Sequence, residues 1–251
     1  MAGVSTQIIV NYCNDLLKAQ SFQDYCPNGL QVEGRDTVQT IVSGVSANFA
    51  LLEAAKAHHA DLILVHHGYF WRGESNVITG MMRRRLGYLL KEDINLLAYH
   101  LPLDAHEEFG NNARLAQILN LNNQGPVVPG SLVFHGYLDE PCTPSAFARL
   151  LQDKLDRKPM HIAGKEGLIA RLAWCTGAAQ DSIQIAVNLG VDAFLSGEIS
   201  ERTVHSARET GVHYFACGHH ATERYGVMAL GEHLAQRFEL KHYFVDIDNP
   251  V

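Results

Sequence analysis

Apolar and polar residues alternate along the chain in blocks that predict helices and strands in turn. Residues Ser5–Lys18 carry apolar side chains at helical spacing, and Ser5 or Thr6 provides an N-terminal cap. Short apolar runs bounded by turn-forming residues predict buried strands. These strands are Thr40–Val45, Asp61–Val65, Asn95–Tyr99, Leu132–Leu138, Leu168–Cys175, Ala193–Ser196, Val212–Cys217 and Tyr243–Ile247. A strand–helix–strand alternation of this kind predicts an α/β fold with parallel strand pairs.

The remaining segments supply the predicted helices and the connections. The helices are Ala47–His59, Met81–Glu92, Asn112–Leu119, Pro144–Leu155, Gln180–Leu189, Glu201–Thr210 and a last helix that Thr222 caps and that runs to Arg237. Segment 24–34 contains Pro27-Asn28-Gly29, which is strong turn chemistry. Segment Asn122–Ser131 holds prolines and glycines without helical periodicity, and we interpret it as a boundary between units. We therefore predict a first α/β domain from residues 1–125 plus 211–251 and a second from residues 126–210.

The two halves of the chain show a weak internal repeat. In each half, a strand that ends in glycine precedes a helix and a second strand that begins with aspartate. The matching stretches are Ile41–Gly44 and Asp61–His67 in the first half, and Ala173–Gly177 and Asp192–Glu198 in the second. The strand that comes next in each half is followed by a histidine and, four residues later, a carboxylate. These are His100 and Asp104 in the first half and His219 and Glu223 in the second. We interpret the repeat as an ancient duplication, which would build a two-sided metal site.

Composition narrows the class of protein. A hydrophobic content of 47% and a charged content of 19% over 251 residues are typical of a globular protein. The net charge of -7 argues against the broad basic surface that duplex DNA binding requires. The five cysteines include no CxxC pair, which favours reduced thiols in the cytoplasm and argues against a cysteine zinc site. Met1–Gln7 shows no signal-peptide pattern, and no apolar run approaches the ~20 residues of a membrane span.

Histidines gather at the ends of three predicted strands. His66 and His67 follow the first strand, His100 the second and His219 the third, and Asp104 and Glu223 each lie four residues beyond a histidine. In open α/β sheets, ligands bind beyond the carboxyl ends of strands, so we expect these groups to meet. Imidazole with carboxylate suits zinc, manganese or iron(II). This set is larger than one ion requires, which favours two ions that share a bridging carboxylate.

Other residues allow an ordinary interpretation. A lone histidine is usually a core or surface residue, and we assign that role to His58, His59, His135, His161, His205, His213, His233 and His242. For His106 and His220 we predict either the same role or a contact with a metal ligand. Glu198 either lines the metal pocket or caps the helix that begins at Glu201. Arg83-Arg84-Arg85, with Arg72 nearby, could meet substrate phosphates, but a solvated helix face is the favoured interpretation.

Several motifs together resemble a known family. They are Pro27–Gly34 (PNGLQVEG), Val65–Trp71 (VHHGYFW), His100–His106 (HLPLDAH), Gly110–Asn112 (GNN), Ser196–Glu198 (SGE) and Gly218–Arg224 (GHHATER). The sequence resembles the GTP cyclohydrolase I type 2 homologue family, also called the NIF-three-like family, in particular its short bacterial members. The motifs span nearly the whole chain, which lacks the large inserted domain of longer members.

The resemblance implies a fold, a metal centre and an assembly. It implies two interlocked, pseudo-duplicated α/β domains with mixed sheets, and a ring-shaped homohexamer whose sites face the interior. It also implies a dinuclear centre with the ligands His66, His67, Asp104, His219 and Glu223, of which Glu223 is the bridge. His100 is then an additional ligand or orients one of the others.

Two functional hypotheses follow. The first is a metal-dependent hydrolase of a small nucleotide or related heterocycle, with GTP ring opening as the candidate that the resemblance supplies. The alternative is a non-enzymatic metal-binding or scaffold protein linked to stress or DNA repair. Open metal positions beside a pocket favour the enzyme, whereas a site closed by protein ligands favours the scaffold. Direct DNA binding through a ring lacks a basic stripe in this sequence.

Overall fold

Strands and helices alternate through residues 3–251, the part of the chain that the computed structural model describes. The strands are β1 (Val4–Ser5), β2 (Gly29–Val32), β3 (Thr37–Val38), β4 (Thr40–Ser46), β5 (Leu62–His67), β6 (Asn95–Ala98), β7 (Asn122–Pro126), β8 (Phe134–Cys142), β9 (Met160–Ile162), β10 (Ile169–Trp174), β11 (Ala193–Ser196), β12 (His213–Ala216) and β13 (Lys241–Phe244). The helices are α1 (Thr6–Leu16), α2 (Phe49–Ala57), α3 (Gly80–Glu92), α4 (Leu101–Ala105), α5 (Asn111–Ile118), α6 (Pro144–Leu155), α7 (Ile183–Leu189), α8 (Glu201–Thr210) and α9 (His219–Phe238). Within residues 3–251, we find no helix with both the length and the apolar character of a membrane span.

The chain divides into two compact units, each of which is discontinuous in sequence. Unit 1 comprises the chain up to Leu103 together with Gly226–Asp248, and unit 2 comprises Asp104–Tyr225 with Asn249–Val251. The boundaries predicted from the sequence lie elsewhere, with residues 104–125 and 211–225 in the first domain. Much of both segments belongs to unit 2 because β7 pairs with β8, and β12 with β11, in the sheet of that unit.

Unit 1 is built on a sheet with the strand order β13-β4-β5-β6-β2. The strands from β13 to β6 are parallel, and β2 is antiparallel to β6. Both faces are covered: Leu62 and Leu64 of β5 pack into one apolar cluster, and Ile63 and Val65 into another. A strand that is buried on both faces needs apolar residues at successive positions, which explains the unbroken apolar run.

Unit 2 is built on a mixed sheet with the strand order β7-β8-β10-β11-β12-β9. The central strands β10, β11 and β12 are parallel, whereas β7, β8 and β9 join them by antiparallel pairing. Leu172 and Trp174 of β10 pack into one apolar cluster, and Ala173 packs into another. With a mixed sheet in both units, the predicted α/β class with mixed sheets is confirmed.

Two local predictions were wrong, and a third was incomplete. Segment Asn122–Ser131 begins with β7 and lies inside unit 2, because its backbone pairs with β8. Segment 24–34 has the predicted turns but also contains β2. Thr222 does not cap the last helix, because α9 already begins at His219. Its hydroxyl instead donates to the carbonyl oxygens of Gly218 and His219, both at 2.9 Å, as a threonine in a helical turn can.

Candidate metal centre

The two histidines that end β5 belong to unit 1 and are held by local hydrogen bonds. His66 is fully buried, and its Nδ1 lies 2.9 Å from the carbonyl oxygen of Tyr99. Because a carbonyl only accepts, Nδ1 carries the proton and Nε2 carries the lone pair that a metal ion needs. His67 Nδ1 lies 3.0 Å from the Ser46 hydroxyl. In each histidine, the contact at Nδ1 holds the ring and thereby fixes the direction of Nε2.

His100 follows β6 in unit 1 and is oriented by Asp24. The distance from His100 Nδ1 to Asp24 Oδ1 is 2.7 Å, and the other oxygen of Asp24 accepts from the Leu101 N–H at 2.9 Å. Burial would raise the pKa of Asp24, but hydrogen bonds from His100 and Asn28 lower it to about 2. Since this carboxylate is anionic, it accepts from His100 Nδ1–H, so that Nε2 is the ring nitrogen that could bind a metal ion.

The three histidines of unit 1 form a group of nitrogen donors. His66, His67 and His100 each offer a ring nitrogen, and these nitrogens lie within 4.8 Å of one another. The spacing and the imidazole chemistry fit one divalent ion such as zinc or iron(II). The unit 1 residues of the predicted site are therefore brought together.

Cys26 adds a thiol that the sequence analysis did not identify as part of a site. A sulfur, an oxygen and a nitrogen from Cys26, Asp24 and His100 lie within 4.8 Å of one another. Burial and the nearby Asp24 charge raise the pKa of the Cys26 thiol to about 12, so it is protonated at neutral pH. Asp24 and Cys26 lie in the segment that was interpreted only as a turn.

Unit 2 contributes two buried carboxylates. Asp104 is 6% exposed and Glu223 is 3% exposed, and an oxygen of one lies within 4.8 Å of an oxygen of the other. Asn111 donates to Asp104 Oδ1 at 2.8 Å, which fixes that side chain. Two buried anionic groups at this spacing repel each other unless positive charge compensates them. Part of that charge comes from the His219 ring beside Glu223, and a divalent cation would supply the rest, so the donor set fits a metal ion.

His219 lies between two carboxylates of unit 2. Its Nδ1 is 2.7 Å from Glu198 Oε1, and its Nε2 is 3.1 Å from Glu223 Oε2. Burial would lower the pKa of His219, but Glu223 and Glu198 raise it to about 9. Without a metal ion the ring is therefore protonated at neutral pH. A bound ion would take the place of the proton on Nε2, while the proton on Nδ1 would stay hydrogen-bonded to Glu198.

Two glycines allow the backbone to approach these ligands. A Cβ on Gly177, whose φ is +66°, would lie 2.2 Å from Glu223 Oε1. A Cβ on Gly197 would lie 2.6 Å from the Cα of His219. Neither position has room for a side chain, so both glycines are required by the packing around the ligands.

The alternatives left open for Glu198 and the arginine run are resolved by their contacts. Glu198 orients His219 and lines a cavity in unit 2, while Ser200 occupies the N-cap of α8. On α3, the guanidinium of Arg84 lies over the Phe49 ring and that of Arg85 over the Tyr69 ring. These contacts are those of a helix face rather than of a phosphate site.

Comparisons with known proteins cover nearly the whole chain. The family model described as Duf34/NIF3 (NGG1p interacting factor 3) matches residues 4–250. A protein named GTP cyclohydrolase 1 type 2 homolog from Pseudomonas aeruginosa is 54% identical over an alignment of 252 positions that covers 99% of each chain. A protein of the same name from Allochromatium vinosum is 52% identical over an alignment of 253 positions that covers 100% of each chain.

Solved structures give the same result for the fold. A structure described as protein ybgI, of unknown function, has a TM-score of 0.95 and 49% identity, covering 99% of this chain and 100% of that one. A Thermus thermophilus protein has a TM-score of 0.90 and 33% identity, with the same coverage of 99% and 100%. A Bacillus cereus protein related to NIF3, at 16% identity and a TM-score of 0.87, covering 100% of this chain and 99% of that one, shares the fold.

Proposed function

Because the chain belongs to the Duf34/NIF3 family, we propose that it is a metal-dependent hydrolase of a small nucleotide or related heterocycle. The name GTP cyclohydrolase 1 type 2 homolog, which its relatives carry, supports GTP ring opening as the first reaction to test. The observation that carries the proposal is the buried carboxylate pair of Asp104 and Glu223. Two buried carboxylates at this spacing are suitable ligands for a divalent cation, and two divalent ions are a common hydrolytic device.

The proposed centre holds two divalent ions, with zinc, manganese and iron(II) as the candidate metals. The proposed ligands are His66, His67, Asp104, His219 and Glu223, and Glu223 would bridge the ions. His100 would be an additional ligand or orient one. The hydrogen bonds that orient His66 and His219 at Nδ1 and the hydrogen bond from Asn111 to Asp104 support this set.

The side chains of the protein would prepare and hold the site. Two bound divalent ions would lower the pKa of water and stabilise developing negative charge. Glu198 accepts the Nδ1 proton of His219 and so keeps the other ring nitrogen as the donor. Asp24 does the same for His100. Asn111 fixes the carboxylate of Asp104, and no side-chain nucleophile is required.

A cavity of about 350 Å³ beside Glu198 supports the enzyme over the scaffold hypothesis, because a purely structural metal site needs no room for a substrate. The test is a panel of nucleotides that includes GTP, incubated with protein loaded with zinc, manganese or iron(II) and analysed by mass spectrometry. We expect metal-dependent conversion of at least one compound, and loss of conversion in Asp104→Asn. If protein that carries two ions per chain converts none of them, the scaffold hypothesis replaces the enzyme.

We also propose a homohexameric ring in the cytoplasm. Val77, Ile78 and Met81 are exposed in and before α3, and a cluster of exposed apolar side chains favours burial against another chain. The five cysteines, all within the described residues, are free thiols, which suits a reducing compartment. Light scattering should give a mass near six chains, and a monomer at micromolar concentration would rule out the ring.

A further inference from the structure

A groove in unit 1 lies between the last strand of the sheet and the helix that precedes it. Its volume is about 380 Å³. The side chains that line it come from α9 and β13, and they are Met228, Glu232, Ala235, Gln236, His242 and Phe244. All six residues belong to unit 1, and none of them is a proposed metal ligand.

One side of the groove is the open edge of a β-sheet. β13 is the outermost strand of the five-stranded sheet, and within residues 3–251 it pairs with β4 alone. The N–H groups of Lys241 and Val245 donate to carbonyl oxygens within residues 39–43 at 2.9 and 2.8 Å, so their backbone faces β4. Because this direction alternates along a strand, His242 and Phe244 direct their N–H and C=O groups to the outer edge, where an incoming strand can pair with them.

The other side of the groove is one face of α9. Met228, Glu232 and Ala235 follow each other at spacings of three or four residues, which places their Cβ atoms about 5–6 Å apart on that face. In an extended chain, side chains on one face are separated by about 6.6 Å. A strand added to β13 would therefore present successive groove-facing side chains to these three residues in turn.

The charge in the groove is negative. Within residues 3–251, its lining includes the carboxylate of Glu232 but no lysine or arginine. Burial lowers the pKa of His242 to about 4, so this ring is neutral at pH 7. Two cations near it in sequence lie elsewhere: Arg237 is over the Tyr12 ring, and Lys241 is on the opposite face of β13 from His242. A basic side chain between apolar ones is therefore complementary to this lining.

We propose that this groove binds an extended peptide segment of a partner protein, which adds to β13 as a further strand. The backbone of the segment would pair with the open edge, and its alternate side chains would enter the groove. The order of residues on α9 places a lysine or arginine opposite Glu232, between apolar residues opposite Met228 and Ala235. The recognised pattern is thus apolar-x-basic-x-apolar, where x faces away from the groove. Binding of such a segment does not depend on the proposed hydrolase reaction.

The test is fluorescence anisotropy of a labelled peptide, Thr-Val-Thr-Lys-Thr-Val-Thr, titrated with the full chain. Its side-chain order is the same in both directions, so it fits a parallel or an antiparallel strand. We expect saturable binding, and binding at least about five-fold weaker for the peptide with glutamate in place of lysine. Glu232→Lys should reverse this preference. The matched control is Glu209→Lys at an exposed position on α8, which should keep the wild-type preference.

Two N-methylated versions of the lysine peptide test whether a strand is added. One version carries methyl groups on the amides of valine and lysine, and the other carries them on the amides of threonine. Alternate residues direct their backbone to the same edge, so each version removes the N–H donors of one edge only. We expect one version to lose binding and the other to keep it. The version that loses binding then identifies the direction of the added strand.

Three results would overturn the proposal. They are no saturable binding of the lysine peptide, equal effects of the two methylation patterns, and an unchanged preference in Glu232→Lys. A lower assembly mass of Glu232→Lys in light scattering would also overturn it, because a second copy of the chain would then cover the groove. Glu232 is exposed, so the variant should fold, and circular dichroism checks this. The peptide comparisons use the wild-type chain and do not depend on how the variant folds.

Discussion

The two units share a strand arrangement but place different donors at its ends. In unit 1 the parallel strands β4, β5 and β6 are neighbours, and in unit 2 β10, β11 and β12 are neighbours in the same way. At the end of the middle strand, unit 1 presents His66 and His67, whereas the stretch after the middle strand of unit 2 presents Glu198. At this position unit 1 thus offers nitrogen donors, and unit 2 offers a partly buried carboxylate in addition to the buried carboxylates of Asp104 and Glu223.

This difference assigns different tasks to the two sets of residues. Neutral imidazoles bind a metal ion through lone pairs and leave its positive charge uncompensated. The carboxylates of Asp104 and Glu223 would compensate that charge, and without a metal ion the protonated His219 ring offsets only part of their own negative charge. Changes to the carboxylates should therefore alter how many ions bind. Changes to the residues that hydrogen-bond to the histidines should alter how tightly each ion binds.

The largest effect is expected from Glu223→Gln. Glutamine keeps the shape of the side chain but supplies one neutral oxygen in place of two anionic ones, so it bridges two cations poorly. We predict the loss of at least one ion per chain, measured by elemental analysis, and a parallel loss of any hydrolase activity. His58→Ala, which changes a histidine stacked on Tyr243, is the control and should keep the full metal content. Full occupancy of both ions at their wild-type positions in Glu223→Gln would show that the bridge assignment is wrong.

A smaller effect is expected from Asp104→Asn. The asparagine oxygen can still accept the hydrogen bond from Asn111, so the local fold is kept while one negative charge is lost. We predict that one ion binds more weakly and the other stays in place. Metal titration followed by calorimetry should then resolve one weakened step. Equal weakening of both steps would mean that Asp104 does not act on a single ion.

Metal affinity should depend on pH through His219. In the metal-free protein, its two carboxylate partners outweigh burial and hold the pKa of His219 at about 9. Below that pH a metal ion must displace a proton, so affinity should fall about ten-fold per pH unit as the pH decreases from 9. Glu198→Gln removes one of the groups that raise this pKa, so the fall should begin at a lower pH. An affinity that is constant between pH 9 and pH 7 would contradict a proton on the metal-binding nitrogen.

The smallest effect is expected from Cys26→Ala in unit 1. The thiol is protonated at neutral pH, and its sulfur lies within 4.8 Å of a ring nitrogen of His100. Because a protonated thiol is a poor metal ligand, we predict unchanged metal content. Loss of a buried sulfur should lower the free energy of unfolding by about 1 kcal/mol, measured by chemical denaturation. A clear decrease in bound metal would instead make Cys26 a ligand and give unit 1 a thiolate donor.

The sequence predicted the central strands well and the edge strands poorly. β5 and β11 are buried on both faces, so their apolar runs are visible without any knowledge of the fold. β2, β7 and β9 are short strands at the edges of their sheets, and they contain turn-forming or polar residues. The boundaries of the units could not be drawn correctly because β7 resembled a connection.

The site was predictable where its donors follow a strand in sequence. His66, His67 and His100 were identified from strand ends, and the structure groups them in unit 1. Asp24 was missed because it reaches His100 across 76 positions of the chain, which no spacing reveals. The complete ligand set stays a prediction that rests on the motifs.

The most direct test of the central claim is the number of metal ions per chain. Protein saturated with zinc or manganese and freed of excess metal should contain close to two ions per chain by elemental analysis. Two ions match the two donor groups that the structure forms, the histidine group within unit 1 and the buried carboxylate pair within unit 2. A value of one ion or fewer after saturation would contradict the dinuclear centre.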